Sequence, residues 1–165
     1  MKNFEILVLN DNLAKIKNVT GVPFLILLDK NRRRVKKEAE SILKGNEATE
    51  EYKAYDKKRI ELNEKYAVKN TDGSFKMLKI EGDDTKEKYD IPIDKKVEYQ
   101  TSLDALKLEN KDILDKRDKQ LKEWTEFLNN ENTSFIPLFI SEDLIPKDMN
   151  EQLFIISSLI KYNEE

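Results

Sequence analysis

The sequence predicts an α+β fold, mainly α: a long antiparallel helical hairpin, a coiled-coil-like arm, set on a small antiparallel sheet with a C-terminal helix. Three observations predict it. Two long charged segments, Arg34–Ala67 and Val97–Glu131, each carry a narrow apolar stripe. A turn-rich insert separates them, and apolar residues gather towards both ends of the chain. In the first segment Val35, Ala39, Ile42, Tyr52, Tyr55, Leu62 and Tyr66 recur at spacings of three, four or their sums. In the second, Leu103, Leu106, Ile113, Leu121, Trp124 and Leu128 do the same, with Asn110 and Arg117 inside the stripe. A stripe this narrow calls for one partner helix and water on its other sides. Each helix would reach roughly 50 Å at its rise per residue, so the arm is expected to protrude.

The 165 residues read as a single domain. Its base comprises 1–30 and 133–165, its arm 31–69 and 95–132, and its tip insert 70–94. Charged and apolar residues each make up 38%, and the mean hydropathy of -0.73 suits a small core with much solvated surface. With 30 basic and 33 acidic side chains interspersed, the net charge of -3 gives no global pull towards DNA or an anionic membrane. Cysteine and histidine are absent, so no disulfide forms and the commonest ligands for zinc, copper and iron are missing. The longest apolar run, Val22–Leu28, is too short to span a bilayer, and the start of the chain lacks the pattern of a signal peptide. A soluble, unprocessed protein is expected.

At the base, Phe4–Leu9 and Leu13–Val19 flank the turn signal Asn10-Asp11-Asn12 and read as a β-hairpin. Thr20 would N-cap the following helix, with Pro23 in its first turn. That helix either breaks at Asp29-Lys30-Asn31 or continues into the arm, where Gly45-Asn46 is a second weak point expected to kink the helix at most, with Thr49 as the cap of any restart. At the tip, Asn70-Thr71-Asp72-Gly73 marks a turn. Phe75–Ile80 would pair with a strand carrying Tyr89, Ile91 and Ile93 around Pro92, and Asp94 would cap the second long helix. Ser134–Ile140 reads as an edge strand, joining the N-terminal hairpin in one sheet. A last helix has Met149, Leu153, Ile156 and Ile160 as a stripe widened by Phe154, Ile155 and Leu159.

Two features invite a functional reading. Arg32, Arg33, Arg34, Lys36 and Lys37 form a basic cluster that could meet phosphates or an acidic protein surface. Neighbouring Asp29, Glu38 and Glu40 favour a solvated helix face instead, and the aromatic interleaving of single-strand binders is lacking. At the tip, Phe75, Met77, Tyr89 and Ile91 lie close together where there is little core to hide them, which marks a partner contact unless they pack only on each other. Acids such as Asp83, Asp84 and Asp90 fall in an exposed turn rather than a pocket, Asn70-Asp72-Gly73 lacks the spacing of a calcium loop, and the four glycines stand singly, so no phosphate loop exists. No catalytic signature, cofactor site or metal site is read from the sequence.

The order of features resembles a family of small proteins of unknown function from tailed phages of low-GC bacteria. The residues that carry it are Phe24-Leu25-Ile26-Leu27-Leu28, Arg32-Arg33-Arg34-Val35-Lys36-Lys37, Glu64-Lys65-Tyr66-Ala67, Asp72-Gly73 and the ending from Phe135 to Ile160. The resemblance covers nearly the whole chain and implies a phage origin, with no activity and no functional residues to transfer. The expectation is a non-enzymatic virion or tail component or assembly factor, acting by protein–protein contact in the host cytoplasm or the virion. Its partner would be a phage or host protein or a second copy of the chain, rather than nucleic acid or a membrane. The alternative is a phage-encoded inhibitor that binds a host defence or nucleic-acid enzyme.

Overall fold

The computed structural model describes residues 1–80 and 82–161. It is a mainly helical α+β structure with a small antiparallel strand pair and a minor parallel one. The chain divides into two compact units, Met1–Glu47 with the stretch from Leu121 onward, and Ala48–Gln120.

In the first unit Asn3–Lys15 is a helix, α1, so neither the strand expected at Phe4–Leu9 nor the one expected at Leu13–Val19 forms. Ile6, Leu9, Leu13 and Ile16 recur at helical spacing and are all buried, so their packing overrides the turn propensity of Asn10-Asp11-Asn12. Glu5 closes the helix start by accepting the Lys2 N–H at 2.7 Å. Helix α2 (Val22–Lys44) packs on α1 and runs through Asp29-Lys30-Asn31 without a break. The polar triplet is tolerated because Asn31, fully buried, turns its carboxamide outward from the helix. It donates to the Leu138 carbonyl at 2.7 Å and accepts the Leu138 N–H at 2.9 Å, pairing like a strand residue. The N-cap of α2 is Gly21 rather than Thr20, at φ +89° and with no side-chain cap. Only glycine adopts that backbone without strain. Pro23 lies in the first turn, as its missing N–H allows.

The core of this unit joins Ile6, Leu9 and Leu13 of α1 to Phe24, Leu28, Val35 and Ile42 of α2 and to apolar residues of the C-terminal stretch. Burial of a side chain such as Phe24 stabilises by roughly 1.5–3 kcal/mol. The single strand expected at Ser134–Ile140 is not formed. Pro137 removes one N–H, and Asn31 takes the polar groups of Leu138, so only Ile140–Ser141 (β3) pairs, in parallel with Ile160–Lys161 (β4). Between them Lys147–Leu159 winds as a 3₁₀-helix instead of an α-helix. With three residues per turn Leu153, Ile156 and Leu159 stack in one column towards the core, and Phe154 is left 76% exposed.

Helix α5 (Lys111–Asn129) ends in the first unit, where Trp124 approaches the end of α2 with its indole N–H 3.4 Å from the Ile42 carbonyl. Beyond it Asn3, also buried, donates to the Phe127 carbonyl at 2.7 Å and accepts from Asn132, which also donates to Glu38 at 2.7 Å. This network ties the chain start to α2 and to the exit of α5.

The second unit begins with α3 (Glu50–Tyr66), capped by Thr49, whose hydroxyl accepts the Tyr52 N–H at 3.3 Å. The break after Lys44 is therefore a full stop and restart rather than a kink. A bridge between Lys69 and Phe75 leads into β1 (Met77–Ile80), which pairs with β2 (Asp83–Tyr89) in antiparallel register, Met77 opposite Tyr89. The second strand thus ends at Tyr89, before Pro92. Ile93 and Asp94 belong to a 3₁₀ turn, and Asp94 does not cap the helix α4 (Lys96–Glu109) that follows. At Asn110 the helix is interrupted for one residue and resumes as α5, because the Asn110 amide side chain bonds the Leu106 carbonyl at 2.8 Å.

Candidate functional site

The tip hairpin, α3 and α4 together build a cleft of about 790 Å³ in the second unit. Helices α3 and α4 are held side by side by polar and aromatic groups rather than by aliphatic burial. Tyr55, Asn63 and Tyr66 are this unit's buried side chains among those described. The Tyr66 hydroxyl donates to Glu98 at 2.7 Å, and its ring meets the Tyr99 ring edge-on at 5.8 Å. The Tyr99 hydroxyl donates to Asn63 Oδ1 at 2.9 Å. At the other end of α3 the Arg117 guanidinium lies over the Tyr52 ring, 5.5 Å from its centroid. Since Tyr52 is near the start of α3 and Tyr66 at its end, these contacts run α3 antiparallel to α4 and the beginning of α5.

The hairpin is anchored below this pair by a closed ring of backbone bonds. Val68 N–H donates to Asp90, Asp90 N–H to Lys76, and Lys76 N–H to Val68, all within 2.9 Å. Lys76 and Asp90 add a 2.8 Å ion pair. The turn before β1 is fixed by Asp72, whose Oδ1 accepts the backbone N–H of Ser74 at 2.9 Å and its hydroxyl at 2.6 Å. Those two bonds, the hydroxyl first, hold the Asp72 carboxyl below its ordinary pKa.

The predicted tip residues fall in this region. The Phe75 and Tyr89 rings pack edge-on at 5.7 Å, with the Lys69 ammonium 5.3 Å above Phe75. Met77 is 39% exposed opposite Tyr89, and Tyr89 and Ile91 are half-buried in the wall of the cleft. The apolar part of that wall is completed by Ile60, Leu78, Val97 and the Tyr99 ring. Its polar part is Arg59, Asn63, Lys88 and Lys96 with the acids Glu87 and Asp90. Arg59 donates from Nε and Nη2 to Asp56 at 2.8 and 2.7 Å. Burial pulls its pKa down, but the bond to Asp56 and that residue's charge outweigh burial and leave it raised. Sequence reasoning did not assign Asn63 or Tyr99. The only signal was an asparagine beside the apolar stripe of the first segment, and its partner depends on the helix register.

The basic cluster is distributed over different roles. Arg32 caps the end of α1, donating to the Leu13 and Ile16 carbonyls at 3.1 and 2.6 Å. Arg34 donates to the Ile136 carbonyl at 2.8 Å. Arg33 pairs with Asp29 at 2.8 Å and Lys36 approaches Glu40 at 3.9 Å, all four well exposed. Lys37 is exposed on the same helix. The side chains of Asp83 and Asp84 lie outside those described. Among the described residues no acidic group could hold a metal ion, and no helix is long and apolar enough to cross a membrane. Comparison with protein-family models, curated proteins and solved structures finds nothing that matches this chain.

Proposed function

We propose that this is a non-enzymatic phage protein that acts through protein–protein contact, as a virion or tail component or an assembly factor, with the antiparallel α3 and α4–α5 helices presenting the tip to its partner. The observation that carries the reading is the surface around the cleft. Met77 and Leu78 on the hairpin are 39% and 38% exposed, and Ile93 and Val97 beside it 83% and 79%. Apolar side chains gathered at one site, on elements already fixed by hydrogen bonds, support a contact surface. The phage setting rests on the resemblance of the whole chain. In this reading Arg32 and Arg34 serve the fold of the first unit rather than a ligand.

Sedimentation velocity at micromolar concentration and mass spectrometry of purified virions test it. The reading expects a self-assembled or heteromeric species, or the chain in the particle. Monomer alone and absence from virions would sink it. A single host enzyme retained from uninfected lysate would instead favour the alternative of a host-directed inhibitor.

A further inference from the structure

We infer that the cleft of the second unit takes an extended, acidic and apolar segment of the protein partner, its carboxylates meeting Asn63, Lys88 and Lys96 and its aliphatic side chains Ile60, Leu78 and Val97. This rests on the contact reading above and names the chemistry of what is contacted.

The charge of the cleft argues for acids. Of its cations, Arg59 is already engaged by Asp56, and of its acids, Asp90 is engaged by Lys76. Lys88 and Lys96 remain against Glu87, a positive surplus in a chain whose net charge is -3. Asn63 points the same way. It is 7% exposed and lines the cleft with its Oδ1 taken by the Tyr99 hydroxyl, so what its carboxamide can offer an occupant is the Nδ2 donor. A wholly apolar occupant would bury that amide and the lysine heads without partners, and a basic one would add like charge. A segment carrying carboxylates satisfies both.

The walls argue for an extended chain. Residues 87 to 91 line the cleft consecutively, so one continuous run of main chain, the end of β2 and the two residues after it, forms one side. Among the described residues β2 has β1 on one edge and no strand on the other. A run of main chain beside apolar pockets suits an extended occupant whose alternate side chains enter those pockets.

The test uses the full ¹⁵N-labelled chain and capped pentapeptides alternating leucine with glutamate, with glutamine or with lysine, and a short oligothymidine as a second polyanion. The glutamate peptide is expected to shift amides around Asn63, Lys88 and Val97, and to bind about ten-fold more tightly than the glutamine peptide. The exposed double variant Lys88→Glu with Lys96→Glu is expected to reverse the preference towards the lysine peptide. Equal binding of the glutamate and glutamine peptides, shifts mapping elsewhere, no binding, or equal competition by oligothymidine would each overturn the inference. A partner captured at the tip without any acidic preference would overturn it while leaving the contact reading intact.

Discussion

Replacing Asn31 by Ala removes the side chain that joins α2 to the stretch before β3. Two hydrogen bonds are lost, to Leu138 O at 2.7 Å and from Leu138 N at 2.9 Å, at a site with no solvent exposure of Asn31. Each bond contributes about 0.5–1.5 kcal/mol net, and stranding the two backbone groups of Leu138 adds to that, so a loss of roughly 2–4 kcal/mol is expected. Asn31→Asp should do at least as badly, since it keeps the acceptor but loses the donor and brings a charge into the core. Urea unfolding followed by fluorescence measures the effect. Trp124 is the only tryptophan and belongs to the first unit with Asn31, so its emission reports the relevant transition. The exposed Arg33→Ala is the control, expected within about 0.5 kcal/mol of the parent. If Asn31→Ala were as mild as that control, the side chain would not be the link that lets α2 pass through its polar triplet.

Other predictions concern backbone and charge. Gly21→Ala should cost about 1–2 kcal/mol, because φ is +89° and the added Cβ would lie 3.4 Å from Pro146; a neutral outcome in the same unfolding assay would contradict the assigned cap. The Asp72 carboxyl titrates below its ordinary 3.8 in the folded chain. Its contribution to stability is therefore present above the unfolded carboxylate value and lost as the pH falls through the lower folded value. The Ser74 amide resonance should follow that lower midpoint, and a midpoint at or above 3.8 would remove the two bonds from the account. Burial raises the Tyr55 phenol above 10.0, so stability from keeping it neutral is present below that value and lost as the pH rises through the folded one. Tyr55→Phe should remove a component of the tyrosinate absorbance that titrates above 10.0, and a curve that loses none there would contradict the burial.

Much of the helical framework was legible because its determinants are local. The stripe from Val35 to Tyr66 is buried or half-buried along its length and Thr49 caps where a cap was read, whereas Gly45 ends a helix where at most a kink was expected and Asn110 ends one inside a stripe read as continuous. The hairpin after Phe75 also follows from its turn residues, although its second strand begins earlier than the Ile91 and Ile93 pattern implied. What was not legible depends on distant partners. Asn10-Asp11-Asn12 reads as a turn until α2 is present to bury Ile6, Leu9 and Leu13 on the same helix. Arg32 reads as a phosphate contact only while α1 is taken for strand, since its actual acceptors are carbonyls at the end of that helix. The Asn63–Tyr99 bond needs the register of α3 against α4, which no single-segment periodicity contains.

The central claim is that the partner is held at the tip cleft, and photo-crosslinking tests it most directly. Benzoylphenylalanine placed at Leu78 or Val97, both exposed beside the cleft, should give one shared adduct when the chain is irradiated with its co-purifying assembly. The same group at Glu40, exposed on α2, should give none. Adducts from Glu40 but not from Leu78 or Val97 would contradict the account.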